Sequence, residues 1–453
     1  MIQDCDNSLP GGCRLIPLAE RCDERGCLSF AEVRHDIPFE VERVFWIYDV
    51  SEGQERGAHS HNECAEVVVP VCGSFDMMVD DGRTQAVVHM DSPHVGILIP
   101  PGVWCCLRNF SEGTVCVVMA SHPYNAAGYT HDYEEYKCQI VDVRRYEPSM
   151  YDVWNDFVAQ SKNGTFLFDR RYMDYHADRF EDCSLMCYKG DVLLAVLPAN
   201  WVEETRTVVS HGGLTYGGLL LSEKITTVEA MQVMSGVMEW MRKEVGACCW
   251  LYKCVPHIYH RLPSEEDLYA LFRQNAVLKA RAVSSVIDNR CRIPMREVRR
   301  RGVGKACKHG VNFHEAHDLA AFWKVLETVL EERHGCVPVH SLDEMKRLKS
   351  AFPEQIRLYV AADDEEVLAG VVVYEAGPVA HAQYIAASDK GRAVGALDGL
   401  FAYLIEEVYA TKPYFDFGIS TEQGGSYLNE GLLFQKEGFG ARAVVYDWYQ
   451  VDL

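Results

Sequence analysis

His59 and His61 stand one residue apart in RGAHSHNECAEVVVPVCG, and Glu66 follows five residues after the second histidine. On a strand, residues i and i+2 point to the same face, so the two imidazoles project together and Glu66, on the next stretch, can join them. Three chemistries suit such a set. Two imidazoles and a carboxylate can hold a metal ion. Imidazoles titrate near neutrality and can shuttle protons without a metal. In the third case the rings are buried and only hydrogen-bonded, as part of the wall of a β-structure.

The elements that must carry these residues are short strands. From about Val41 to Ala120 the runs VFWIYDV, AEVVVPV, SFDMMVDDG, VGILIPPG and TVCVVMA alternate with turns, and VDDGR reads as a hairpin. No long amphipathic helix interrupts them, so this region is expected to be an all-β barrel or sandwich. After about Asp142 the pattern changes. Leu319, Phe322, Trp323, Leu326, Val329 and Leu330 form one helical stripe, and Leu397, Leu400, Phe401, Leu404, Ile405 and Val408 another. IRLYVAA, LAGVVVYE and AVVYDWYQV read as strands among them, which makes the remainder α+β or α/β. In PSEEDLYALF, Ser264 reads as a helix N-cap followed by acids in the first turn.

Bulk properties bound the function. A chain of 453 residues with 48% apolar content is long enough for two or three domains, each with its own core. A net charge of −22 argues against nucleic acid or an anionic membrane as partner, though not against local phosphate sites. No apolar run approaches the length of a bilayer span. The start, MIQDCDNSLPGG, is acidic and polar, unlike a signal peptide, so a cytoplasmic protein is expected. The 18 cysteines are scattered without CxxC pairs and read mostly as reduced core thiols.

Gly53, His59, His61, Glu66 and Gly73 fit G-x5-HxH-x4-E-x6-G, which resembles the first motif of the cupin superfamily. GILIPPGVWCCLRN resembles the second, with Gly96, Pro100, Gly102 and Asn109 in place and Cys105 where the motif has histidine. A cupin metal site would then draw on His59, His61, Glu66 and Cys105, the soft thiolate favouring zinc. A closer resemblance favours proton transfer. DERGCLSFAEVRHDIPFEVERVFWIYDV, RGAHSH, GSFDMMVDDG, IPPGVW and YTHDYEEY are similar, in order and spacing, to the sugar-nucleotide 3,4-ketoisomerases, over roughly residues 10 to 140. That family acts without a metal on dTDP-4-keto-6-deoxyglucose and moves the carbonyl from C4 to C3 through an enediol. The resemblance implies that His59 and His61 are the acid/base pair, in either order. It implies that Glu66 and Cys105 contact substrate and that Arg56 holds the diphosphate, for which a guanidinium has the right geometry. A plain surface arginine is the competing reading of Arg56.

The rest of the chain resembles a FemAB-like acyltransferase, a pair of GNAT-type folds. MDYHADRFEDCSLMCY, LPANW, SHGGLTYGGL and KCVPHIYHRLPSEEDLYALFR match one half, and VAHAQYIAASDKGRAVGALDGLFAYLIEEVY, YFDFGIS and LNEGLLFQKEGFGA the other. SDKGRAVGALDGLF follows a strand and opens a helix, where GNAT enzymes bind the CoA pyrophosphate on backbone N–H groups. Lys390, Gly391, Arg392 and Gly395 are therefore cofactor candidates, although Leu397 departs from the family's Q/R-x-x-G-x-G/A pattern. His257 in KCVPHIYH and Asp416 in YFDFG are candidate catalytic groups, with His260 as the alternative to His257. His211 and Tyr216 of SHGGLTYGGL, and Asn429 and Glu430 of LNEG, are candidate substrate contacts; a strand-end aspartate or a helix-start residue is equally natural as a cap. The basic stretch REVRRRGVGKACK, with Arg299, Arg300, Arg301, Lys305 and Lys308, suits either a phosphate or a solvated helix face.

Together the resemblances imply a multidomain chain. Residues 1–140 would be an all-β cupin (jelly-roll) ketoisomerase, and 141–300 and 301–453 two GNAT-like subdomains, the second binding acetyl-CoA. The implied function is bifunctional: isomerisation of dTDP-4-keto-6-deoxyglucose, then N-acetylation of the derived dTDP-3-amino-3,6-dideoxyhexose, for surface polysaccharide or O-antigen synthesis. A separate PLP-dependent sugar aminotransferase would act between the two steps. Acetyl-CoA is the expected co-substrate, no metal is expected, and a homodimer is the default. The alternatives are transfer of another acyl or aminoacyl group, a C-terminal half that only binds, and a metal-dependent cupin.

Overall fold

The computed structural model describes residues 9–82, 84–138, 141–364 and 366–453. The acidic opening stretch and Arg83 of the VDDGR turn lie outside them. The chain divides into two compact units, Met1–Ile140 and Val141–Leu453.

The first unit is built from short strands: β1 (Arg14–Pro17), β2 (Ala19–Asp23), β3 (Gly26–Phe30), β4 (Arg43–Tyr48), β5 (Arg56–His61), β6 (Glu66–Cys72), β7 (Phe75–Asp80), β8 (Gln85–Met90), β9 (Val95–Ile99), β10 (Trp104–Arg108), β11 (Val115–Ala120) and β12 (Tyr129–Thr130). Two five-stranded sheets form, in the orders β1-β9-β6-β11-β4 and β12-β5-β10-β7-β8. Both contribute to one core, in which Val68, Ile97, Ile99, Cys116 and Val118 meet Phe75, Met77, Val79, Cys105 and Leu107. This is the β-rich, cupin-like fold expected, as a two-sheet sandwich; no closed ring of paired strands occurs among the described residues. Pro70 sits inside β6, where a missing N–H is tolerated because β9 pairs only with Glu66–Val68 and the β11 register shifts beside it. Helix α1 (Tyr133–Cys138) ties the end of β7 to the start of β10: the Tyr136 hydroxyl donates to the carbonyls of Asp80 and Gly102, at 2.7 and 3.0 Å.

The cysteines depart from expectation at one place. Cys22 and Cys27, on the exposed β2–β3 hairpin, form a disulfide. Eight of the described free cysteines are buried, as core thiols should be, and six are exposed or half-buried.

The second unit contains a four-stranded antiparallel sheet and an eleven-stranded mixed sheet. The elements that frame its site are β13 (Cys249–Lys253), β14 (Val277–Asp288), α2 (Glu297–Lys308), β15 (Val367–Ala376), β16 (Val379–Ala387), α3 (Asp389–Val394), α4 (Ala396–Tyr403), β17 (Tyr414–Ile419), α5 (Glu430–Glu437) and β18 (Arg442–Asp452). β18 lies between β13 and β14 and pairs antiparallel with both. The stretches 141–300 and 301–453 therefore share one sheet. The two stripes read from sequence are real: Leu319, Phe322, Trp323 and Leu326 are buried along the helix Ala320–His334, and Leu400, Phe401, Leu404 and Ile405 along α4 and the turn after it. Ser264 does not cap. Its helix starts at Glu266, with Glu265 at the cap position, and the Ser264 hydroxyl is buried without a partner. Asp267 is drawn inward to accept from the Tyr252 hydroxyl, which fixes the later start.

Candidate functional sites

In the first unit β5 carries both histidines, and a bulge sets their direction. Cys105 of β10 pairs with His59 and Cys106 with Gly57, so Ala58 is the extra residue. Gly57 and Ala58 both have left-handed backbones, φ 79° and 51°. Glycine is required at position 57, because a Cβ there would lie 3.0 Å from the Cys105 carbonyl oxygen. Ala58 bears the strain instead, which is common beside functional groups.

The side chains then meet. His59 Nε2 lies 3.2 Å from His61 Nε2, and His61 Nε2 lies 3.0 Å from Glu66 Oε1. His61 and Glu66 are each 5% exposed, while His59 is only half-buried. Arg43 on β4 donates to Glu66 at 3.3 Å and to the Tyr129 hydroxyl at 3.2 Å. Tyr129 packs 4.3 Å from the His61 ring, and His131 lies 5.9 Å from the His59 ring. Burial lowers the pKa of His59 from its ordinary value, and the neighbouring His61 adds to this against Glu66 and a backbone bond at Gly57. A neutral imidazole near pH 7 is the form that accepts a proton.

Cys105 is fully enclosed. Burial, then the nearby Glu66 charge, raises its pKa well above the ordinary thiol value. It stands as a neutral thiol. The donor atoms of His59, His61 and Glu66 do lie within 4.8 Å of one another and could hold an ion, without Cys105. The Arg43 guanidinium on Glu66 works against that use, since it already neutralises the carboxylate. Arg56, at the start of β5, is exposed. Arg43, Tyr129 and His131 were missed from sequence as separate residues; they lie far from the HxH along the chain and only sheet pairing gathers them.

In the second unit β16 and β17 run parallel and pair only from Val379 to His381 and from Tyr414 to Asp416. Beyond that they part, and the gap opens into a cavity of about 870 Å³. Ala382, Gln383, Ile385, Ala386 and Ala387 wall one side, and Phe417, Gly418 and Ile419 the other. Gln383 is a bulge residue on β16, facing a register shift at Val372/Val373, and its Oε1 is buried without a partner. The cavity is cationic: Lys253, Arg299, Arg333, Arg392 and Lys436 line it, with Asp398 as the lining carboxylate. Burial lowers the Lys253 ammonium to about 7 and that of Lys436 to about 8. A site of this charge suits ligands bearing phosphates.

The sequence candidates distribute unevenly around this cavity. Gly391, Arg392 and Gly395 line it. Both glycines also serve packing: a Cβ at Gly391 would lie 2.2 Å from the Leu368 carbonyl oxygen, and one at Gly395 2.5 Å from that of Gly302. Lys390 is not among the lining residues, and its ammonium pairs with Asp363 and Glu366. From the basic stretch on α2 only Arg299 reaches the cavity, paired with Asp398 at 2.8 Å, while Arg300 and Arg301 bind Glu297 on the exposed face. His257 is exposed and outside the lining. His260 bonds the Val255 carbonyl. His211 and Tyr216 are buried behind the wall, the latter donating to Thr165. Asn429 caps α5 by accepting from the Leu432 N–H, and Glu430 is exposed beside it.

Asp416 needs the largest revision. It is completely buried and does not line the cavity. Its carboxylate accepts from His381 Nδ1 at 2.8 Å, the Tyr446 and Tyr259 hydroxyls at 2.7 and 2.9 Å, the Gly418 N–H at 2.9 Å, and the Ser284 hydroxyl. Burial alone would raise its pKa, but the His381 charge and the hydroxyl donors win and hold it well below the carboxylate range. An acid enclosed by five donors cannot touch substrate. His381, which does line the cavity, was not singled out from VAHAQY because nothing in its local sequence marks it.

The comparisons agree with this division. Residues 11–140 match the family model described as FdtA: WxcM-like, C-terminal, and residues 290–426 match the acetyltransferase (GNAT) domain. The TDP-4-oxo-6-deoxy-alpha-D-glucose-3,4-oxoisomerase of Aneurinibacillus thermoaerophilus is 33% identical over 130 residues, 29% of this chain and 94% of that protein. A 3,4-ketoisomerase structure from Helicobacter canadensis is 34% identical over 28% of this chain and 94% of that one, with a TM-score of 0.27. FemX is 11% identical, covers 69% of this chain and 97% of its own, and has a TM-score of 0.50, which is a likeness of fold.

Through its first unit the chain belongs to the sugar 3,4-ketoisomerase family. More particularly, it is a fusion of an FdtA-type ketoisomerase domain with a C-terminal GNAT-like acetyltransferase domain.

Proposed function

We propose that the first unit isomerises dTDP-4-keto-6-deoxyglucose to its 3-keto isomer. We propose further that the second unit N-acetylates, with acetyl-CoA, the amino sugar nucleotide that a separate PLP-dependent aminotransferase makes from that product. The observation that carries the first step is the His59–His61 pair at 3.2 Å, one ring half-open and the other held by Glu66. A 4-keto to 3-keto shift needs a base for the C3 proton and an acid at the C4 oxygen, and adjacent imidazoles supply both without a metal. Glu66 holds His61 in register, and Arg43 keeps that carboxylate neutralised.

The second step is supported by the parted strands of the acyltransferase fold and their cationic cavity. There the enzyme must hold an amine against a thioester carbonyl and stabilise the oxyanion that forms. Arg299, Arg333 and Arg392 line the cavity, paired with Asp398 and Asp389, and in this reading they turn to phosphate groups of either substrate. The test is release of free thiol from acetyl-CoA with a dTDP-3-amino-3,6-dideoxyhexose as acceptor. Release that depends on the sugar supports the reading. No release with either C4 epimer refutes the second step and leaves the isomerase standing.

A further inference from the structure

Among the described residues, His381 is the one imidazole on the wall of the second unit's cavity. It sits on β16 where β16 and β17 cease to pair, at the root of the opening. Its Nδ1 donates to Asp416 at 2.8 Å, which fixes the tautomer of the neutral ring, the one with its lone pair on Nε2. Among the described residues no hydrogen bond reaches that Nε2.

The surroundings hold the ring in this orientation. Asp416 on β17 is saturated by Tyr259, Tyr446 on β18, Ser284 on β14 and the Gly418 N–H, so it can turn neither to solvent nor to substrate. Lys436 on α5 points its ammonium at the carbonyls of Gly418 and Ile419, at 2.7 and 2.8 Å, and Lys253 on β13 binds those of His211 and Leu214. Both amines are committed to carbonyls. Burial lowers Lys253 to about 7 and Lys436 to about 8, and both donate to these carbonyls, not to the ring. The arrangement has the logic of a base oriented by a buried carboxylate.

We propose that His381 is the general base of acyl transfer and that Asp416 is its positioning residue; this rests on the acyl-transfer reading above. An aliphatic amine is mostly an ammonium near neutrality and cannot attack until it loses a proton. Nε2 takes that proton and passes it to water. The nitrogen lone pair then forms the C–N bond at the thioester carbonyl, and the C–S bond breaks with its electron pair on sulfur. The remaining excess proton on nitrogen leaves through the same imidazole and ends on the sulfur. The products are the amide and a free thiol.

The experiment uses the full chain and its variants His381→Gln and His381→Ala, with His257→Ala as the control outside the cavity. Thiol release from acetyl-CoA with the amino sugar nucleotide is followed against pH, and CoA binding by calorimetry. Loss of the base should lower kcat by roughly 10²- to 10⁴-fold. CoA affinity should hold, the acidic limb of the pH profile should vanish, and added imidazole should restore part of the rate to His381→Ala. The control should match the unsubstituted chain. His381 variants within about threefold of the unsubstituted rate, with the acidic limb intact, overturn the assignment and leave acyl transfer standing. So does a slow His381→Ala protein that binds CoA, keeps its acidic limb and gains nothing from imidazole. An unsubstituted chain that releases no thiol overturns both readings together.

Discussion

Asp416→Asn tests the buried cluster of the second unit most directly. The substitution keeps shape but removes a charge that five donors address. Asparagine offers one oxygen for these donors and brings an NH2 group of its own among them. Tyr259, His381 and Tyr446 share one carboxylate oxygen and Ser284 and the Gly418 N–H the other, so at least two of the five donors lose their acceptor. Hydrogen bonds to a charged group are worth about 1.5–3 kcal/mol each, and breaking a buried charged pair costs about 3–5 kcal/mol. The expected loss is therefore about 3–5 kcal/mol, which at about 2 °C per kcal/mol for a unit of this size lowers its unfolding midpoint by roughly 6–10 °C. Ser284→Ala removes one donor only and should cost about 1 kcal/mol. The sign with pH follows from the carboxyl being held below its ordinary value. Its contribution is full above pH ~3.9 and is lost as pH falls below that. Asp416→Asn should therefore flatten the acid dependence of stability as well as reduce it. Calorimetric unfolding of the full chain from pH 7 to below pH ~3 measures both. A loss under about 1 kcal/mol, equal to that of Ser284→Ala, would refute the account of a saturated, ionised Asp416.

Two further outcomes concern the isomerase. Burial holds the His59 imidazole below its ordinary value, so the acidic limb of kcat/KM for 3,4-isomerisation should lie below pH ~6.5, and a limb at or above that value would contradict a partly desolvated base. Gly57→Ala forces a Cβ toward the Cys105 carbonyl at a left-handed position, and should cost about 1–3 kcal/mol of first-unit stability and slow isomerisation by displacing His59; unchanged denaturation and rate would show that the bulge does not aim the histidine.

Much of the first unit was legible in the sequence because its signals are local. Alternation marked the strands, the i, i+2 spacing of His59 and His61 put both rings on one face, and Glu66 began the next strand. Thiol burial followed from apolar context, although the Cys22–Cys27 bond did not, since it depends on two strands meeting across a hairpin. In the second unit the helical stripes at Phe322–Leu326 and Leu400–Ile405 were equally plain. Its site was not. His257, Asn429 and Glu430 looked chemical in sequence, yet tertiary structure places His257 and Glu430 at the surface and gives Asn429 to a helix cap. Asp416 was noticed, but only packing reveals that Tyr259, Ser284, His381 and Tyr446, from four separate stretches, enclose it. His381 itself has no local signature. What makes it notable is where β16 and β17 stop pairing, and strand divergence is a property of the sheet that no single stretch of residues encodes.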